Sequence, residues 1–233
     1  MTIHKLLLAM AAAVAPLTAL ADIGWYAGVG AGGTRLEEDL DVTFSAADCD
    51  AGGSSCTTLA SQRLDKFEGT DLGFRVFGGL RVGRFFGIEA GYVDLGEPED
   101  EVSLNVPAYG VAPETDIQLV MTDEIDGWEV YGLAGFPLTD TWEVFGKLGV
   151  ISWDSDFRFK NSFSENFPPT PGVIPTVEPQ TSAVSDDGTD LAGGIGFNYQ
   201  ATEHMILRGE GTWYDIENVE QAWLLGFSVI LSY

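Results

Sequence analysis

The sequence LLGFSVILSY, residues 224–233, places an apolar side chain at every second position. One alternating set is Leu225, Phe227, Val229, Leu231 and Tyr233. Strict alternation over such a length predicts a β-strand with two different faces. An apolar strand at a sheet edge promotes aggregation, so we expect this one to be paired along both of its edges. A sheet closed into a barrel satisfies that requirement.

Seven further segments of about ten residues show the same period. With the last strand they are GWYAGVGAGG (24–33), TDLGFRVFGGL (70–80), FGIEAGYVDL (86–95), GWEVYGLAGFPL (127–138), WEVFGKLGVISW (142–153), DLAGGIGFNYQ (190–200), MILRGEGTWYDI (205–216) and QAWLLGFSVILSY (221–233). The connections alternate in length, and those spanning about 34–69, 96–126 and 154–189 are long. Short turns at one end and long loops at the other are typical of an outer-membrane barrel. The sequence therefore predicts an all-β fold, an eight-stranded antiparallel up-and-down transmembrane barrel.

The orientation of the two faces separates a membrane barrel from a soluble, ligand-holding one. Gly28, Gly30 and Gly32 share one face of the first segment, and small residues suit the crowded interior of eight strands. Charged residues such as Arg208 and Glu210 also suit an interior better than a lipid-facing wall. Aromatic residues gather near strand ends, as expected for the two membrane interfaces. They are Trp25, Trp128, Phe136, Trp142, Trp153, Trp213 and Tyr233.

The first residues, MTIHKLLLAMAAAVAPLTALA, combine Lys5, an apolar stretch and an A-x-A arrangement at Ala19 and Ala21. This pattern predicts a secretory signal peptide over residues 1–21 and a barrel domain over 22–233. The formal net charge of −25 at pH 7 excludes a general affinity for nucleic acid. Cys49 and Cys56 are the only cysteines, and in an exported protein a nearby pair favours a disulfide over a metal site.

The segments FGIEAGYVDLG, GLAGFPLTDTWEVFGKLGVISW, LAGGIGFNY and LRGEGTWYDI resemble the transmembrane domain of the OmpA family. The resemblance implies residence in the outer membrane of a Gram-negative bacterium, in contact with lipid and lipopolysaccharide. It also implies that Phe227, Val229, Leu231 and Tyr233 act as a signal for the barrel-assembly machinery. Many relatives continue into a peptidoglycan-binding domain, and no such cell-wall tether is expected here.

The pleat of the predicted strands directs six charged side chains inward. They are Arg75, Glu89, Glu129, Lys147, Arg208 and Glu210. In the family, inward charges form a salt-bridge network that blocks or gates the lumen, and the resemblance implies the same here. One position departs from that pattern, since Leu133 stands where relatives carry an inward lysine. The network is therefore predicted either to plug the lumen or to gate a narrow path.

Candidate chemistry elsewhere is sparse. Gly28, Gly30 and Gly33 fit G-x-G-x-x-G, but an acidic segment follows instead of the helix that a dinucleotide site requires. His204 is the one histidine beyond the signal peptide, and it lies in a short turn without a serine. We therefore expect no enzyme activity and no cofactor. Divalent cations could associate with acidic loops such as EPEDE (97–101), although no EF-hand spacing is present.

The sequence thus favours an outer-membrane barrel with a mainly structural role. A narrow, gated path for solutes is compatible with the same pattern. Two alternatives from other classes remain. One is a surface-binding protein that uses its long acidic loops for adhesion or phage attachment, with an unknown ligand. The other, less favoured, is a lipid-modifying enzyme.

Overall fold

The computed structural model describes residues 23–49, 56–108, 114–165, 180–217 and 219–233. The predicted signal peptide, residues 1–21, and the proline-rich segment 168–179 lie outside this part of the chain. Among the described residues, no helix is long and apolar enough to cross a membrane.

The described chain forms nine strands in one antiparallel sheet. They are β1 (Ile23–Cys49), β2 (Cys56–Val82), β3 (Phe86–Asp94), β4 (Glu99–Val106), β5 (Thr115–Pro137), β6 (Trp142–Glu165), β7 (Gln180–Thr202), β8 (Met205–Tyr214) and β9 (Gln221–Ser232).

Eight of these strands form a closed ring. β3 pairs directly with β5, while β4 pairs with the first residues of β5 beyond the ring. β9 closes the ring against β1, with Tyr26 opposite Ser232 and Glu37 opposite Gln221. The predicted eight-stranded antiparallel barrel is confirmed, and the alternating strand at residues 224–233 is paired on both edges.

The strands extend well beyond their predicted ends, and the described residues within 34–69, 96–126 and 154–189 are mostly strand where we expected loops. β1 and β2 continue as a hairpin as far as Cys49 and Cys56, and β5, β6 and β7 continue as neighbours in the same way. The physical reason is that two strands leaving the ring side by side keep satisfying each other's backbone N–H and C=O groups. We call this side of the barrel the hairpin end, and the opposite side, with its short connections, the turn end.

The register places Cys49 opposite Cys56 at the tip of the β1–β2 hairpin. Their side chains lie outside the described part of the structure. The disulfide between them therefore stays a prediction.

The apolar side chains change face along each long strand. On β5, Trp128, Val130 and Phe136 point out of the barrel and are exposed, whereas Met121 and Ile125 point into it and are fully buried. Strand β6 shows the same change between Val150, which points outward, and Ile151, which is buried inside. An apolar exterior needs lipid around it, whereas a polar exterior with an apolar interior is suited to water. The change of face therefore marks the membrane boundary near residues 126 and 151.

Exposed aromatic side chains border the lipid-facing band. Trp25, Phe136 and Tyr233 lie at the turn end, and Trp128 and Trp223 lie at the boundary towards the hairpin end. These positions agree with the predicted interfacial girdles.

Trp153 is an exception to the predicted girdles. It points into the barrel and only 3% of its surface is exposed. Its indole Nε1 donates a hydrogen bond to Asp190 Oδ2 at 2.8 Å. Trp153 lies beyond the change of face on β6, where apolar side chains belong to the interior.

Two adjacent glycines of β1 differ in what surrounds them, and they provide a matched test of the barrel seam. A Cβ on Gly32 would meet the carbonyl oxygen of Leu225 and lie 2.5 Å from Gly226 Cα, whereas a Cβ on Gly33 meets nothing within 4 Å. Because backbone atoms cannot move aside cheaply, Gly32→Ala is expected to lower the free energy of unfolding by about 1–3 kcal/mol. Urea unfolding in lipid vesicles measures this, and Gly33→Ala should change it little. Equal effects of the two substitutions would contradict the close approach of β1 and β9.

Candidate functional site

The six predicted inward charges come together in one layer across the barrel interior. Each is contributed by a strand of the ring, β2, β3, β5, β6 or β8, and each is at most 4% exposed. They are Arg75, Glu89, Glu129, Lys147, Arg208 and Glu210. We call this set the charged layer. Three cations face three carboxylates, so the layer is neutral as a whole, which burial requires.

Arg75 lies at the centre of the charged layer and contacts all three carboxylates. Its Nε donates to Glu129 Oε1 at 2.8 Å, and its Nη2 donates to Glu89 Oε1 at 2.9 Å. Its Nη1 donates to Glu210. The planar guanidinium has five N–H donors, so a single arginine can hold carboxylates from three different strands.

The other two cations complete the pairing. Arg208 Nη1 lies 2.7 Å from Glu89 Oε2, and Lys147 Nζ lies 2.9 Å from Glu210 Oε2. Each carboxylate therefore has at least one cationic partner. An arrangement of this kind is costly to disturb, because removing one member leaves a charge buried without its partner.

Three tyrosines hold the carboxylates in place, and the sequence did not single them out. Tyr131 OH donates to Glu129 Oε2 at 2.9 Å, and Tyr214 OH donates to the same oxygen at 3.3 Å. Tyr26 OH donates to Glu89 Oε2 at 3.1 Å. All three occupy inward positions of the pleat, which is the signal that could have identified them.

A second polar group lies between the charged layer and the turn end. Arg81 Nη1 donates to Glu143 Oε1 at 2.9 Å, and the Asn198 amide donates to the same oxygen at 2.9 Å. Asn198 Oδ1 in turn accepts a hydrogen bond from Arg208 Nε at 3.0 Å. A cavity of about 350 Å³ lies among these side chains. Polar contacts thus continue from the charged layer towards the turn end.

On the opposite side of the charged layer, the interior is filled by apolar side chains. We call this cluster, without Tyr131 that contacts Glu129, the apolar plug; it comprises Leu36, Phe67, Val93, Leu95, Val102, Met121, Ile125, Ile151, Trp153, Ala192, Tyr214, Ile216, Ala222 and Leu224. On β3, β5 and β6 the plug residues Val93, Ile125 and Ile151 each follow a charged residue by four positions towards the hairpin end, which is about 13 Å of strand. The interior is therefore layered. Polar contacts extend from the charged layer towards the turn end, and apolar side chains fill the interior towards the hairpin end.

Other candidate groups contribute no site. His204 is exposed in the turn between β7 and β8, and its Nδ1 lies 3.2 Å from the backbone oxygen of Ser232. Gly28, Gly30 and Gly33 lie within β1, which continues as a strand after them. In the part of the chain that the structure describes, no three acidic, histidine or cysteine side chains converge to hold a metal ion. The association of divalent cations with residues 97–101 stays a prediction.

The sequence that forms this closed ring matches a known family. The sequence pattern that defines the OmpA-like transmembrane domain matches residues 21–223. The chain belongs to this family. It is therefore an outer-membrane β-barrel of a Gram-negative bacterium, as the resemblance implied.

Solved structures of several outer-membrane barrels are similar to this OmpA-like barrel. The attachment invasion locus protein Ail of Yersinia pestis is 11% identical over 91% of this chain and 99% of its own, with a TM-score of 0.46. Neisserial surface protein A is 12% identical over 90% of this chain and 97% of its own, with a TM-score of 0.44. The N-terminal barrel of Pseudomonas aeruginosa OprF is 11% identical over 89% and 97%, with a TM-score of 0.39. A search of curated proteins gives no match.

The departure at Leu133 has a counterpart in the structure of this OmpA-like barrel. Leu133 is partly buried and packs against buried apolar side chains of the interior. It lies opposite Lys147 on the neighbouring strand β6. Arg75 on β2 instead contacts Glu129 and Glu210, so the layer reaches neutrality without a cation at position 133.

Proposed function

We propose that this OmpA-like barrel has a structural role in the outer membrane and is closed to solutes. The observation that supports this most strongly is the apolar plug, which fills the interior on the hairpin side of the charged layer. We take the hairpin end to face the cell exterior, and the predicted signal peptide to direct export.

Two different barriers lie in series along the barrel axis. In the charged layer, Arg75 occupies the centre and is paired with carboxylates from three strands. In the plug, Met121, Ile125 and Ile151 are fully buried. An ion would have to displace the first set of pairs and then lose its hydration among apolar groups, which is costly. Opening either barrier alone leaves the other in place.

The exterior supports the structural role. From the turn end to the boundary near Trp128, outward side chains are apolar or small, so the barrel has a continuous surface for lipid. We infer that this surface contacts lipid and lipopolysaccharide. We also infer that Phe227, Val229, Leu231 and Tyr233, which all point outward on the closing strand, are the residues that the barrel-assembly machinery recognises.

We also propose that the protein is not an enzyme. A general base must lie within hydrogen-bonding distance of its nucleophile. His204 instead contacts a backbone oxygen, and it is exposed at the turn end. The buried carboxylates of the charged layer are all held by cations, which suits packing better than proton transfer.

Conductance across a planar bilayer tests the closed barrel. The refolded protein is expected to show no steady conductance. The double substitution Lys147→Ala and Arg208→Ala should leave the barrel closed, because the plug is untouched. The slower gel migration of folded, unboiled protein would verify that the variant still folds. A steady, porin-like conductance of the wild type would contradict the proposal. An opening produced by the double substitution alone would favour the narrow gated path instead.

A further inference from the structure

A separate cavity of about 300 Å³ lies at the hairpin end, beyond the membrane boundary. The ring splits there, because β8 ends at Tyr214 and β9 begins at Gln221, while β1 and β7 continue past them. The cavity lies between the extension of β1 on one side and β5, β6 and β7 on the other, with the β8–β9 connection as the third wall. Its lining is Glu38, Leu40, Asp123, Trp153, Ser155, Phe157, Phe159, Val184, Asp186, Ile216, Glu217 and Val219.

Aromatic side chains of β6 form one wall of this outer cavity. Phe157 and Phe159 meet edge to face with their ring centroids 4.7 Å apart, and Trp153 of the plug also lines the cavity. The faces of aromatic rings carry negative potential and attract cations, and Trp binds them more strongly than Tyr or Phe. The volume is at the lower end of the range for small-molecule sites.

Two carboxyl groups in the lining have no cation to balance them. Asp123 is only 3% exposed, and its Oδ1 accepts a hydrogen bond from Ser155 Oγ at 2.8 Å. Glu38 approaches it from β1. No Lys or Arg is among the lining residues, and in the described part of the chain none forms an ion pair with either group. A nearly buried carboxylate without a cation is costly and is ordinarily found paired.

The other titratable side chains that line the cavity are also acidic. Burial and the neighbouring Asp123 raise the pKa of Glu38 to about 7. Burial, with a contribution from Asp156 on β6, raises the pKa of Asp123 as well. Asp186 of β7 and Glu217 of the β8–β9 connection line the remaining walls. The cavity therefore lacks a positive charge that a ligand could supply.

We propose that the outer cavity binds a small organic cation, an ammonium group carried on an apolar body. The ammonium would donate hydrogen bonds to Asp123 and Glu38, while the apolar part packs against Trp153, Phe157 and Phe159. A divalent metal fits less well, because no three ligand side chains converge here among the described residues. The plug closes the floor of the cavity, so the ligand is held at the cell surface and does not pass through. This site is independent of the structural role proposed above.

Calorimetry on the barrel in nanodiscs of zwitterionic lipid tests the proposal, with empty nanodiscs as the blank. Benzylammonium is the probe, and benzyl alcohol is its neutral counterpart of nearly equal size. At pH 8 benzylammonium is expected to bind at least tenfold more tightly than the alcohol, since only the cation satisfies the carboxylates. Binding should weaken from pH 8 to pH 6, because Glu38 takes up a proton across this range while the ammonium stays charged.

Substitutions at the cavity locate the site. Asp123→Asn and Glu38→Gln are each expected to weaken benzylammonium binding about tenfold, and Glu38→Gln should also remove most of the pH effect. Asp154→Asn is the matched control, since Asp154 is exposed on the same strand as the aromatic wall but lies outside the lining. Equal binding of the alcohol, no binding of the cation, or an equal loss in Asp154→Asn would each overturn the proposal. The gel migration of folded protein shows whether each variant retains the barrel.

Discussion

Replacing Arg75 by methionine is expected to lower the free energy of unfolding by about 3–5 kcal/mol, the cost of breaking a buried ion pair from one side. The substitution keeps much of the volume of the side chain but removes the guanidinium group that contacts Glu89, Glu129 and Glu210 together. Glu129 loses the most, because its remaining hydrogen-bond donors among the described residues are the hydroxyls of Tyr131 and Tyr214. Urea unfolding of the protein in lipid vesicles measures the change.

Two further variants serve as a control and as a test of the cause of this loss of stability. Arg158→Met removes an arginine whose side chain is 41% exposed and which pairs with Glu124, itself 33% exposed, and an exposed pair contributes at most about 1 kcal/mol. Adding Glu129→Gln to Arg75→Met should restore part of the lost stability, because a neutral amide replaces the stranded carboxylate. If Arg75→Met and Arg158→Met cost the same, the charged layer does not stabilise the barrel.

Placing a charge on the lipid-facing surface should have the next largest effect. Leu148 is 69% exposed on the outer face of β6. It lies opposite Gly132, midway between Trp128 and Phe136 of the two aromatic borders. Leu148→Arg is therefore expected to cost about 2–4 kcal/mol, the penalty for arginine near the bilayer midplane. The same unfolding experiment in vesicles measures it.

The control for this charge lies four positions further along the same strand. Ser152 is exposed on the same outer face and lies opposite Trp128, at the membrane boundary. Ser152→Arg should cost only about 0–1 kcal/mol, as for arginine near an interface. Similar costs at the two positions would mean that Leu148 does not face the hydrocarbon.

The sequence predicted the ring and the charged layer for a simple geometric reason. Side chains of a strand alternate between two faces, so the apolar positions of β9 identify its outer face and the charges of β8 identify an inner one. Arg208 and Glu210 follow directly from that alternation. The closing of the ring by residues 224–233 follows because an apolar strand of that length needs partners on both edges.

The apolar plug and the long hairpins escaped the prediction because the apolar side chains change face. On β5 the pattern DEIDGWEV, residues 123–130, has Ile125 inside but Trp128 and Val130 outside. A strand predicted from one alternating set of apolar residues ends where the apolar residues move to the other alternating set. The shift itself is visible in the sequence, and it marks the membrane boundary instead of a strand end.

The remaining partners of the charged layer depend on how far each strand is staggered against the next. Glu143 and Arg81 lie 62 positions apart, and Arg208 and Glu89 lie 119 apart, yet each pair is in contact. The alternation of a strand predicts that such side chains point inward, but it does not predict their positions along the barrel axis. The position of each side chain along the axis depends on the stagger between neighbouring strands of the closed ring, which the sequence of a single strand does not contain.

The pairing of β1 with β9 has a consequence for the order of events in folding. Tyr26 and Ser232 are opposite each other, although about two hundred residues separate them in the chain. Contacts over such sequence distances form slowly, because the entropy of closing the intervening chain is lost before the contact stabilises anything. Until β9 pairs with it, the edge of β1 opposite β2 has no hydrogen-bonded partner between Tyr26 and Glu37. The seam that seals the barrel is therefore expected to form last, and hydrogen exchange during refolding should protect the β1–β9 amides after those of the β5–β6 hairpin.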